Sequence, residues 1–201
     1  MDAIQISNMA ISLVGGSSIT SFADPILEAE QCDLYYNVAR RYCLENRDWT
    51  FAAETRRLTK DVMPISSEYT YSYALPADCL VVRVVAADAN LRDVVEYQRQ
   101  SNRVITDSAT LYIRYTKDVT SSTLFSSGFA TAVAHKLAEF IAPSITGDKG
   151  LKRTLMQEAD YLITEGGANE GMQGSPKRAF ASRLLRARFY GGSRNWFGKY
   201  I

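Results

Sequence analysis

The sequence predicts an α+β protein: a four-helix bundle, built from two N-terminal and two C-terminal helices, with an inserted antiparallel β lobe and an extended C-terminal tail. Three observations predict it. Apolar residues recur every three or four positions at both ends of the chain, they alternate in steps of two through the middle third, and the last thirty residues follow neither period. Because two helices precede the strands and two follow them, the simplest packing is one bundle from which the strands make an excursion. The corresponding boundaries are 1–48 and 119–170 for the bundle, 49–118 for the β lobe and 171–201 for a C-terminal arm.

The first helix covers residues 2–14, where Ile6, Met9, Ala10 and Leu13 share a face, and Gly15 and Gly16 stop it. Asp24 and Pro25 read as the N-cap and first-turn proline of a second helix running to about Glu45. Glu28 and Glu30 sit near the positive end of its dipole, Arg40 and Arg41 near the negative end. Leu34, Tyr35, Val38 and Tyr42 supply its apolar face. After Trp49 the period changes. Strands are predicted over 50–58, 69–75, 80–86, 92–98, 102–106 and 110–117, punctuated by Pro64, Pro76, Asn90 and Asp107. The alternations Tyr69, Tyr71, Tyr73 and Leu111, Ile113, Tyr115 give one antiparallel sheet a single buried face. A third helix starts at Ser127, turns Phe129, Val133, Leu137 and Phe140 inward and closes at Pro143. A fourth follows Asp148 with Leu151, Leu155, Ala159 and Leu162 inward, and Gly166 and Gly167 stop it.

Apolar residues make up 46% of the chain and charged residues 22%, which excludes disorder of the whole chain. The net charge of +1 conceals a partition. Residues 172–201 hold Lys177, Arg178, Arg183, Arg186, Arg188, Arg194 and Lys199 and no acidic side chain, leaving the first 171 residues with 16 basic against 22 acidic groups, a net −6. Cys32, Cys43 and Cys79 lack metal-ligand spacing, and the first two lie about 16 Å apart on one helix, beyond disulfide reach. They read as reduced thiols. Neither a signal peptide nor a long apolar run is visible, so a soluble protein made in the cytoplasm is expected.

The sequence is poor in catalytic constellations. His135 is the only histidine and falls off the apolar stripe of its helix, so any Ser/His/Asp or Cys/His pair would depend on a residue expected at solvent or between subunits. The segment 147–154 lacks the Gly-Lys-Ser/Thr triplet of a phosphate loop and reads as a helix-helix turn. No metal and no cofactor is expected, although a carboxylate pair of the glycosidase kind stays open. The arm carries Phe180, Phe189, Tyr190, Trp196, Phe197 and Tyr200 among its cations, and burial of these six rings cannot offset the entropy of ordering thirty residues. Such a segment suits docking on another polypeptide, where Arg and aromatic anchors dominate, or contact with phosphates and bases.

One pattern is more specific. Asn8, Ala10, Leu13 and Gly15, then Ile19, Ser21 and Phe22, then Ala29, Cys32, Tyr35, Arg40 and Leu44, then Trp49-Thr50-Phe51-Ala52, and finally residues 71–80 (YSYALPADCL) stand in an order that resembles the tail tubular protein A family, the head-to-tail adaptors of short-tailed bacteriophages. The likeness covers about 40% of the chain and leaves the C-terminal third unmatched. Trp49 and Phe51 are read as core residues packing the bundle against the β lobe. The resemblance implies a structural, non-enzymatic subunit of a twelve-copy ring in the virion neck, joining the portal protein to the tail tube or nozzle protein around a DNA channel. DNA would pass without sequence-specific binding, which a net-negative body favours, and no membrane is involved. The expected portal-binding residues are Lys177, Arg178, Phe180, Arg183, Arg186, Arg188, Phe189, Tyr190, Arg194, Trp196, Phe197 and Tyr200. Two alternatives stay open: a nucleic-acid-binding packaging or ejection accessory protein, and a tail-borne peptidoglycan hydrolase.

Overall fold

The computed structural model describes residues 1–61 and 69–171. Pro64 and the arm beyond Gly171 lie outside them. The described residues form a mixed α+β fold with four helices and two antiparallel sheets of three strands each.

Helix α1 spans Ala3–Val14. Asp2 caps it in a reciprocal box with Gln5, worth about 1 kcal/mol, and Gly15, with φ at +73°, closes it as the sequence predicts. Helix α2 spans Leu27–Asn46 and departs from expectation twice. Asp24 is not its N-cap: the carboxylate accepts from the backbone N–H groups of Thr20 and Ser21, which fixes the preceding turn and holds its pKa below the ordinary value, and the helix starts after Ile26. Its core face is also not the one expected. Ala29, Cys32, Tyr36, Ala39, Cys43 and Leu44 are buried, whereas Leu34 and Val38 are exposed and Tyr35 and Tyr42 lie at the edges.

Helix α3 spans Ser127–Ile145, and α1, α2 and α4 all pack against it. A helix covered on three sides must be apolar nearly all round, and Phe129, Ala130, Ala132, Val133, Ala134, Leu137, Ala138, Ile141 and Ala142 are all buried. Pro143 does not end α3. It lies inside the last turn, where the missing N–H costs one bond, and the Thr146 N–H and hydroxyl both close on the Ala142 carbonyl. Helix α4, Lys149–Gly171, is started by Asp148, whose carboxylate accepts from the N–H groups of Gly150 and Leu151. Gly166 and Gly167 do not stop it. A Cβ on Gly166 would stand 3.0 Å from the Trp49 ring, so this glycine serves close approach to a buried ring, whereas one on Gly167 would meet only the Arg47 side chain, at 3.0 Å.

Trp49 follows α2 and is fully buried. Its indole N–H donates to the Cys43 carbonyl at 2.8 Å, and its ring meets Phe129 edge-on at 4.9 Å between centroids. Phe51 joins Phe125 and Phe129 in the same cluster. This cluster is part of the helical core, against which Leu80 from the strand region also packs.

After a 3-10 turn at Thr50–Ala52, strands β1 (Ala53–Arg57), β2 (Tyr71–Ala74), β3 (Cys79–Ala86), β4 (Gln98–Gln100), β5 (Arg103–Thr106) and β6 (Tyr112–Lys117) follow. They pair as β1-β6-β3 and β2-β5-β4, two sheets where one was expected. The anticipated strand at 92–98 is absent as such: Val94 makes one bridge to Ala86, and Asp88 fixes the loop by accepting from the N–H groups of Asn90, Arg92 and Asp93. Leu111, Ile113 and Tyr115 alternate into a second core, where they meet Tyr73, Leu75 and Val104 from the other sheet. The period-two signal therefore located the buried face correctly and could not report that two strips share it.

Candidate assembly surface

Polar side chains join the helices to the sheets, beside Leu80 of β3, which packs against the helical core. Arg83 on β3 donates to the carbonyls of Leu44, Glu45 and Arg47, the free C-terminal carbonyls of α2, and to the Thr116 hydroxyl on β6. A cation at that end of a helix also meets the negative pole of its dipole. Arg114 on β6 pairs with Asp48 at 2.7 Å. Arg40, almost fully buried in α2, pairs with Asp118 and donates to the Val119 carbonyl at 2.7 Å, tying α2 to the segment that leaves β6. These contacts fix α2 at both its middle and its end.

So held, α2 presents a second apolar side. At about 100° per residue, Leu27, Leu34 and Val38 fall on one line opposite the buried Ala29, Tyr36 and Cys43. They are 47%, 60% and 52% exposed. Tyr35 and Tyr42 border the ridge, half-buried: the Tyr35 ring meets Phe140 at 5.8 Å, and Tyr42 lies 3.9 Å from the Lys136 ammonium. Burial works against the charge on Lys136, but the Glu139 carboxylate 2.7 Å away and the Tyr42 ring outweigh it and hold the amine above its ordinary value. Glu30 and Glu45 stand exposed along the ridge, with Arg41 as its exposed cation.

On the opposite flank of α3 an open groove of about 520 Å³ runs between α1 and α3, lined by Gln5, Asn8, Met9, Ser12, Leu13, Ala134 and His135. His135 is half-buried; its Nδ1 donates to the Thr131 carbonyl, and Nε2 points toward Glu158 on α4 at 3.9 Å. Cys32 and Cys43 are buried free thiols, their pKa values pushed by burial to about 11 and about 12. Among the described residues no group of three His, Cys, Asp or Glu is placed to hold a metal ion, and no helix is long and apolar enough to cross a membrane.

Every residue expected to bind the portal, from Lys177 to Tyr200, lies outside the described residues. The ridge on α2 was missed in the sequence because its members were assigned to the core. The signal was present: Ala29, Cys32, Tyr36, Ala39 and Cys43 form a second apolar line at helical spacing, and a helix with two such lines has one to spare. Compared with models of known protein families the chain matches none, and no curated protein matches it either.

Proposed function

We propose that this chain is the head-to-tail adaptor of a short-tailed bacteriophage, a structural subunit without catalytic activity. The observation that carries the reading is the partition of charge: a body of net −6 joined to a thirty-residue arm with seven cations, six aromatic rings and no acid. The likeness to the tail tubular protein A family in residues 8–80 supports it, as does the order helix pair, strands, helix pair.

In this reading the four helices form one bundle, the wall of a twelve-copy ring in the virion neck, and the β lobe faces the tail tube or nozzle protein. An acidic wall does not neutralise phosphates, so DNA slides past it without being held. The cationic, aromatic arm points away from the channel and grips the portal protein. Its Arg and aromatic residues are the types that dominate interface energetics.

Mixing the purified protein with portal rings tests this. The full chain binds the rings, and a chain truncated after Gly171 stays folded and does not. Equal binding by both removes the docking role of the arm. Duplex-DNA affinity that falls with salt at a log-log slope of roughly −0.9 per contacted phosphate favours the nucleic-acid alternative instead.

A further inference from the structure

We propose that the outer ridge of α2 is a docking surface for the C-terminal arm of a second copy of this chain, so that neighbouring subunits are strapped together by exchanged arms. The proposal rests on the adaptor reading for the existence of a ring, and names the partner of a surface that reading leaves uncovered.

Four observations carry it. Leu27, Leu34 and Val38 are about half exposed on a helix whose other side already fills the core, so nothing within the described fold covers them. The ridge is flanked by acid, through Glu30 and Glu45, against Arg41, which itself lies 3.9 Å from the Asp118 carboxylate. The first half of the arm offers the complement, Phe180, Leu184 and Leu185 interleaved with Lys177, Arg178, Arg183, Arg186 and Arg188. Its length suffices: thirty residues reach up to ~100 Å extended, against ~30 Å for the whole of α2.

Charge also argues for a strap. Bodies of net −6 repel one another when set side by side, and that repulsion grows with every copy added to a ring. The five cations of residues 177–188 laid on the next body offset that repulsion at each junction, and do so on an apolar ridge where the contact is also dehydrated. Directional exchange from one copy to the next makes a heterologous contact, which closes into a ring when the rotation permits. The residues from Phe189 onward, including Trp196, Phe197 and Tyr200, remain for the portal.

Photo-crosslinking of the full chain tests the proposal. A benzoylphenylalanine at position 34 is introduced into an equal mixture of nitrogen-14 and nitrogen-15 protein, and the linked peptides are identified by mass. The expected product is a mixed-isotope pair joining the α2 peptide to residues 177–188, lost when Val38→Glu is added. Val38 is exposed, so that variant should melt as the parent does. Links confined to one isotope, links to any other segment, or a chain that yields no mixed pair at any concentration overturn the proposal. The adaptor reading fails separately, on a full chain that does not bind portal rings. Mixed pairs in such a chain would leave the strap standing without the portal.

Discussion

Replacing Gly166 with alanine should destabilise this protein although alanine is the better helix former. In a helix interior the exchange normally gains about 1 kcal/mol, because glycine loses more backbone entropy on folding. Here the new methyl would stand 3.0 Å from Cη2 and 3.3 Å from Cζ3 of Trp49. The ring cannot give way: it is fully buried, its N–H is bonded to the Cys43 carbonyl at 2.8 Å, and Phe129 abuts it edge-on. Overpacking of that kind costs roughly 1–3 kcal/mol, so the net loss should be about 1 kcal/mol, a fall of roughly 2–4 °C in Tm for a body of this size. Gly167→Ala is the internal control. Its methyl would approach Arg47 at the same 3.0 Å, but a flexible side chain can swing aside, so this variant should equal or exceed the parent. Thermal melts of the full chain followed by far-ultraviolet circular dichroism read both. A Gly166→Ala protein as stable as the parent, or two variants equally weakened, would refute the assignment of Gly166 to close packing.

Other outcomes follow from the polar seam and the buried thiols. Arg83→Met removes three bonds to the C-terminal carbonyls of α2 and should cost about 2–3 kcal/mol in urea unfolding, since hydrogen bonds from a charged donor are the stronger kind. Asp118→Ala leaves the Arg40 guanidinium buried without its carboxylate and should cost about 3 kcal/mol, while adding Arg40→Met should recover part of that loss. A double variant weaker than Asp118→Ala by the full cost of a second lesion would show that the pair does not act as a unit. Cys32 and Cys43 should resist thiol reagents in the native protein and react on unfolding. Their raised pKa values also set a pH dependence: below the ordinary thiol value of 9.0 both states keep the proton, and from there to about 12 the unfolded chain loses it first. Stability should therefore fall across that window, and less steeply in Cys43→Ala once its own packing loss is subtracted.

The sequence by itself determined the class and order of elements, because period and punctuation are local. The stop at Gly15, the inward triplet Leu111, Ile113 and Tyr115, and the stripe Phe129, Val133 and Leu137 were legible from residues within one turn or one strand of each other. It also fixed the partition of charge between body and arm, on which the functional reading rests. Tertiary structure alone decided which of two apolar lines on α2 is buried, since the line of Ala29, Cys32, Tyr36, Ala39 and Cys43 and the line of Leu27, Leu34 and Val38 both satisfy helical spacing; the first fills the core and the second stays exposed. Tertiary structure also made Gly166 a packing residue instead of a stop, because the Trp49 ring that needs the space is 117 positions away in the chain. Which strands share a sheet and what Arg83 grips were hidden for the same physical reason: both depend on partners distant in sequence, and neither period nor composition carries that distance.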